Sequence, residues 1–147
     1  MRKIGIIGLG NVGALLANLL VAQQAADELV LIDSDADLAL GLQNDLLDGM
    51  QSLSVQPNIK IQDYAALKDA DAIVLAIGKA ELLKEQRFAE LTFVGEMMCQ
   101  IAPQIKQSGF DGILLNLANP NEVTTAYLQY LTALPKNKVI GMGTVLN

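Results

Sequence analysis

Three glycines in the run Gly8-Leu9-Gly10-Asn11-Val12-Gly13 stand between an apolar segment, Lys3 to Gly8, and a helix-like stretch, Asn11 to Gln24. Twenty residues past the third glycine, Asp33 closes a second apolar segment that begins at Leu29. Few local patterns restrict a chain more. The spacing predicts a buried strand, a tight turn, a helix and a second strand ending in a carboxylate. In such a unit Gly8 allows the turn, Gly10 lets the backbone approach a diphosphate, and Gly13 lets helix and strand pack closely. The free N–H groups of Asn11, Val12 and Gly13 at the helix start then face negative charge. A glycine-rich turn without a ligand is the bland alternative, and the ordered context of strand, helix and Asp33 argues against it.

The same rhythm continues along the chain. Short apolar runs recur at Ala72 to Gly78, Gly112 to Ala118 and Val139 to Met142, with a weaker strand at Asn58 to Gln62 after Pro57. Helix-favouring stretches, Ala36 to Gln51, Glu85 to Ser108 and Asn121 to Leu131, lie between them. Runs without alternation suit strands buried on both faces, and strands alternating with helices predict a parallel sheet with right-handed crossovers. The expected fold is α/β, a doubly wound six-stranded parallel sheet in the order 3-2-1-4-5-6. At 147 residues the chain is expected to form one domain, residues 1–147. Within the long third helix pattern the methionines read as core, and Cys99 reads as buried packing.

Charge and composition narrow the partners. A net charge of −6 gives no basic surface for a nucleic acid or an anionic membrane. The apolar stretch Ile4 to Ala22 after Arg2 and Lys3 superficially resembles a signal peptide, but Gly8, Gly10, Gly13, Asn11 and Asn18 interrupt it. One cysteine makes no internal disulfide, which suits a cytoplasmic protein. Asp33 is expected to accept hydrogen bonds from both adenosine ribose hydroxyls, and no Lys or Arg occurs between Lys3 and Lys60 to receive a 2′-phosphate. NAD is therefore expected rather than NADP. Asp35 and Asp37 read as a solvated turn and helix start.

Several separated motifs in order carry a family resemblance: Asp27 to Asp33, Gly78 at the fourth strand end, Asn119-Pro120 after the fifth, and Lys138 to Thr144. Together they resemble the lactate and malate dehydrogenase superfamily, whose nucleotide-binding half is a Rossmann fold. Arg2 to Gly13 and Gln86 to Leu91 are most similar to the L-2-hydroxyisocaproate branch. The resemblance implies a hydride exchange between NAD and a small L-2-hydroxy acid, of lactate or 2-hydroxyisocaproate type. It implies that Gly78 lines the cofactor site and that Arg87, on a lid over the substrate, polarises the reacting carbonyl. It also implies that Asn119 bonds the substrate oxygen beside the nicotinamide, a role compatible with capping the helix that follows Pro120. The residue that reads the substrate side chain falls between Lys79 and Leu83, at Glu81 or Leu82. No arginine stands there to pair with a second carboxylate, which disfavours malate.

By the same resemblance, the helix carrying Asp45 and Asp48 packs across a subunit interface, so a homo-oligomer, dimer or tetramer, is expected. A C-terminal substrate domain, carrying a proton-transferring histidine and a carboxylate-anchoring arginine, is absent from this sequence, which contains no histidine. The chain alone is expected to be inactive, and a truncated domain is the favoured reading over a small natural enzyme. From another class, a nucleotide-sensing regulatory domain of a potassium channel or transporter opens with the same fingerprint. Arg87, Asn119-Pro120 and Gly141-Met142-Gly143-Thr144 are features for which a sensor has no chemical need.

Overall fold

The computed structural model describes residues 1–78 and 87–142, with the side chains of residues 87 and 88 outside that description. Six strands form one parallel sheet: β1 (Lys3–Ile7), β2 (Glu28–Ile32), β3 (Asn58–Ile61), β4 (Ala72–Leu75), β5 (Ile113–Asn116) and β6 (Val139–Gly141). Their order is β3-β2-β1-β4-β5-β6, as the alternation predicts. The register pairs Ile7 with Ile32 on one side and with Leu75 on the other. Because the chain leaves β1 and β4 toward opposite edges, a crevice opens at their carboxyl ends, where α/β sheets bind ligands.

Four helices cover the two faces: α1 (Asn11–Ala22), α2 (Ala36–Gly49), α3 (Arg87–Ser108) and α4 (Asn121–Thr132). Strand alternation divides the core. Leu29 and Leu31 of β2 pack with Ala17 and Val21 of α1 and with Leu42 and Leu46 of α2. Val30 and Ile32 point the other way, into a cluster with Val94, Met98, Ile101 and Ile105 of α3 and Leu128 of α4. All five residues of β2 are buried, which is why no polar residue alternates through Leu29 to Ile32. Each such aliphatic side chain contributes about 1.5–3 kcal/mol on burial. α3 runs unbroken through Pro103.

Two details differ from the sequence expectation. Short 3-10 helices at Tyr64–Leu67 and Lys136–Lys138 precede β4 and β6. Cys99 is exposed rather than buried. The buried stripe of α3 runs through Val94, Met98, Ile101, Ala102 and Ile105, and Cys99 stands one residue, about 100°, off that stripe. There its thiol lies 2.9 Å from the Tyr127 hydroxyl of α4. That hydrogen bond raises the Tyr127 pKa above its ordinary value. Among the described residues no helix is long and apolar enough to cross a membrane.

The amino ends of the strands carry a buried charge cluster. Lys3 Nζ lies 2.8 Å from Glu28 Oε2 and 2.6 Å from Asp69 Oδ1, while Lys60 Nζ reaches Glu28 Oε1 at 3.3 Å. Both Lys3 and Glu28 are about 95% buried, so each needs its partner there. The hydrogen bond from Lys3 holds the Asp69 carboxyl below the usual carboxylate range.

Candidate active site and cofactor groove

The turn after β1 is built so that only glycine fits twice. Gly8 has φ +99°, and a Cβ there would stand 2.5 Å from the Ala76 carbonyl oxygen and 2.7 Å from its carbon. A Cβ on Gly13 would fall onto the Gly8 carbonyl oxygen, so this glycine sets how closely α1 approaches β1. Gly10 differs from both, since nothing lies within 4 Å of a Cβ placed on it. It faces open space past the carboxyl end of β1.

Gly10 is also the N-cap of α1, at φ −70°, with no side-chain cap. The first intrahelical bond runs from the Ala14 N–H to the Gly10 carbonyl at 2.9 Å. The preceding amides of Asn11, Val12 and Gly13 therefore have no acceptor within the helix and supply partial positive charge at its start. Asn11 and Val12 are exposed, and Gly13 is buried.

Asp33 follows β2 and is tied down from three sides. Its Oδ2 accepts the Leu9 N–H at 2.7 Å and its Oδ1 accepts the Asp35 N–H at 2.8 Å. Its backbone N–H donates to Gln62 Oε1 at 2.8 Å, and its carbonyl accepts from Gln62 Nε2 at 2.7 Å. Asp35 then caps α2, accepting the Asp37 and Leu38 amides at 3.0 and 3.2 Å, as expected for a helix start. Each Asp33 oxygen accepts one of these bonds and keeps a second lone pair for a further donor.

The glycine turn and Asp33 line one cavity of about 480 Å³, large enough for part of a small-molecule cofactor. Gly8, Gly10, Asp33 and Gly78 lie along it, Ile32, Leu38, Met97 and Ile101 give it apolar walls, and Tyr64 and Gln62 also line it. Burial raises the Tyr64 pKa, so its phenol stays protonated. Among the described lining residues there is no lysine or arginine, and Asp33 is the one formal charge. A diphosphate at the amides of α1 and a sugar diol at Asp33 match this donor set, whereas a 2′-phosphate would meet a carboxylate and, among the described residues, no cation.

Beyond β4, Glu90 of α3 is nearly buried, and desolvation raises its carboxyl pKa. A Cβ on Gly78 would lie 3.9 Å from its Oε1. Asn119 is exposed at the carboxyl end of β5 and is not among the cavity lining. It does not cap α4, whose N-cap is Pro120 with no side-chain hydrogen bond. The loop is held instead by residues the sequence pattern did not single out. Asn121 Nδ2 donates to the carbonyls of Asn116 and Ala118 at 2.9 and 3.1 Å. Asn116 is fully buried in β5. Its Nδ2 donates to the Thr124 and Thr125 hydroxyls, and its Oδ1 accepts the Ala118 N–H at 3.1 Å. Glu81 and Leu82 lie outside the described residues, and of Arg87 only its place at the start of α3 is described.

A doubly wound sheet with a glycine turn, uncapped helix amides and a strand-end carboxylate at its switch point defines a dinucleotide-binding domain. The sequence model of the lactate/malate dehydrogenase NAD binding domain matches residues 2–141, and the chain belongs to that family. L-lactate dehydrogenase 1 of Bifidobacterium longum is 37% identical over 146 residues, covering 99% of this chain and 46% of that enzyme. The L-lactate dehydrogenase of Staphylococcus saprophyticus is 39% identical over the same span. In structure, the minor L-lactate dehydrogenase of Enterococcus mundtii in its ligands-bound form aligns at a TM-score of 0.86 and 32% identity. That alignment covers 94% of this chain and 44% of the other. The chain thus spans about half the length of its relatives, and its cofactor is NAD.

Proposed function

We propose that this domain holds NAD for a hydride exchange between the nicotinamide and a small L-2-hydroxy acid, of the L-lactate type. The single observation that carries the reading is the joining of Gly8, Gly10, Asp33 and Gly78 in one cavity beside the free amides of α1. In this reading the amides of Asn11, Val12 and Gly13 hold the pyrophosphate, Asp33 binds the adenosine ribose, and Gly78 gives the nicotinamide half room to lie against the backbone. The bound cofactor supplies the hydride acceptor. The chain's own residues bind it, orient it and shield one of its faces.

Asn119, exposed past β5, is assigned to the substrate oxygen. Arg87 is assigned to polarising the carbonyl, for which a guanidinium is the suitable donor. Glu81 and Leu82 are assigned to reading the substrate side chain, where the lactate and 2-hydroxyisocaproate types part. Without a histidine the chain has no group that moves a proton readily at neutral pH, so a second domain is assigned the acid-base role. The match across residues 2–141 includes Arg87 and Asn119, and this favours an oxidoreductase over a ligand-sensing channel domain. α2 exposes Leu40 and Leu47 together on one side, and we assign this helix, which also carries Asp45 and Asp48, to contact between copies in a dimer or tetramer. The lone cysteine and the net charge of −6 fit a cytoplasmic setting.

The test is NADH consumption with pyruvate, 2-oxoisocaproate and oxaloacetate, using this chain beside a longer version that carries a second domain. The expected result is background rates for the chain alone and turnover by the longer protein. Arg87→Ala should reduce that turnover by a factor on the order of a hundred. Enzyme-like turnover by the 147-residue chain would overturn the assignment of the proton carrier.

A further inference from the structure

Gln62 stands immediately past β3 with φ +55°, a left-handed conformation that a residue with a side chain adopts at a cost. Its own N–H still completes the sheet ladder, donating to the Leu31 carbonyl at 2.8 Å. The backbone then turns away into the 3-10 helix that Asp63 caps, its Oδ1 accepting the Ala66 N–H at 3.2 Å. β3 therefore ends before it can pair with Asp33. The Gln62 side chain replaces the missing strand. Its amide accepts the Asp33 N–H at 2.8 Å and donates to the Asp33 carbonyl at 2.7 Å, one donor and one acceptor, as a neighbouring peptide group would.

The consequence reaches the cofactor groove. Asp33 is the one residue whose carboxylate joins the glycine turn, through the Leu9 amide, to the start of α2, through the Asp35 amide. A carboxylate discriminates between a diol and a 2′-phosphate only if its position is set, and the peptide that carries it is set on one side by β1 and on the other by Gln62. The Gly8 N–H bonds the Ile32 carbonyl at 2.9 Å just before that peptide. Gln62 lies on the same cavity as Asp33, and its amide is uncharged, so it leaves the Asp33 charge unopposed at the sugar end.

We propose that Gln62 is a positioning residue for NAD selectivity, acting through Asp33 rather than by contact of its own. The proposal rests on the NAD reading of the groove and adds a residue that the dinucleotide fingerprint does not contain.

The experiment is a double-mutant cycle on the 147-residue chain, with Gln62→Gly and Asp33→Ala made singly and together. Glycine accepts φ +55° without strain, so Gln62→Gly removes the amide while relieving the backbone. Its Tm should stay within about 2 °C of the parent, whereas its NAD affinity by calorimetry should fall about five- to twentyfold, with NADP affinity unchanged. In the Asp33→Ala background the same substitution should change NAD affinity less than about twofold, since the group it positions is gone. An equal loss in both backgrounds, or no loss beside intact Asp33, would overturn the proposal. Amide hydrogen exchange gives a second reading that needs no nucleotide. Gln62→Gly should speed exchange at Leu9, whose acceptor is the Asp33 carboxylate, and an unchanged Leu9 rate would overturn the proposal as well. Failure of the parent chain to bind NAD would refute the groove assignment instead, with the Leu9 rate still deciding whether Gln62 holds Asp33.

Discussion

Two glycines two residues apart should respond to the same substitution in opposite ways. At Gly8 an alanine meets two penalties. The backbone sits at φ +99°, which costs an L-residue about 1–2 kcal/mol. The new methyl would also stand 2.5 Å from the Ala76 oxygen and 3.0 Å from the Ile77 nitrogen, both main-chain atoms of the neighbouring segment. Main chain in a close-packed sheet yields little, and forced overpacking adds about 1–3 kcal/mol. Gly8→Ala should therefore destabilise the chain by about 2–5 kcal/mol. At Gly10 the backbone has φ −70°, which alanine adopts freely, and nothing lies within 4 Å of its Cβ. The loss of a favourable N-cap residue and the stiffening of the unfolded chain roughly cancel, leaving about 0.5 kcal/mol or less. That methyl nevertheless projects into the groove where the pyrophosphate is assigned, so Gly10→Ala should weaken NAD binding at least about tenfold. Urea unfolding read by circular dichroism gives the first quantity, and calorimetric titration with NAD gives the second. Equal destabilisation by both substitutions, or undiminished NAD affinity in Gly10→Ala, would refute this division of labour within the turn.

Three further outcomes follow from other parts of the molecule. Glu28→Ala leaves Lys3 buried with Asp69 as its remaining carboxylate partner and should cost about 3 kcal/mol in a urea melt. Asp69 has its pKa lowered by the hydrogen bond from Lys3, so its contribution is present at neutral pH and is lost as pH falls below the ordinary carboxylate value of 3.8 toward its folded-state value. Asp69→Asn should accordingly melt below the parent at pH 7, with the gap narrowing as the pH falls below 3.8. Asn116→Leu removes the fully buried amide beneath the Asn119 loop and leaves the Ala118 N–H without its acceptor and the Thr124 and Thr125 hydroxyls without their donor. It should cost about 2–3 kcal/mol in thermal unfolding, whereas Asn119→Ala, at an exposed position, should leave stability within about 0.5 kcal/mol.

The sheet order was legible because apolar runs too short for helices alternate with long Ala- and Leu-rich stretches, and the rules of crossover handedness leave few arrangements. Asp33 and the glycine turn were legible for a different reason: each spacing answers a steric or electrostatic requirement that recurs wherever a strand feeds a helix around a diphosphate. Gln62 was not legible. A glutamine after a strand belongs to no pattern, and its importance depends on a left-handed backbone and on β3 stopping two residues short of pairing with Asp33. Asn116 was hidden in the same way, a single amide within the apolar run Ile113 to Leu117, satisfied by threonines that lie eight and nine residues later. Cys99 was misread because a helical period alone does not say which of two adjacent residues faces the core. The place of Asn119 before Pro120 is compatible in sequence with a cap on α4, but Asn119 makes no such bond and Asn121 makes the bonds that hold this loop.

The most direct test of the account is calorimetric titration of this chain with NAD and with NADP, before and after Asp33→Ala. The account predicts that NAD binds with at least about tenfold preference, and that the substitution removes about 1–3 kcal/mol of NAD binding while leaving NADP no worse. Equal affinity of the unaltered chain for the two nucleotides would contradict the role given to Asp33.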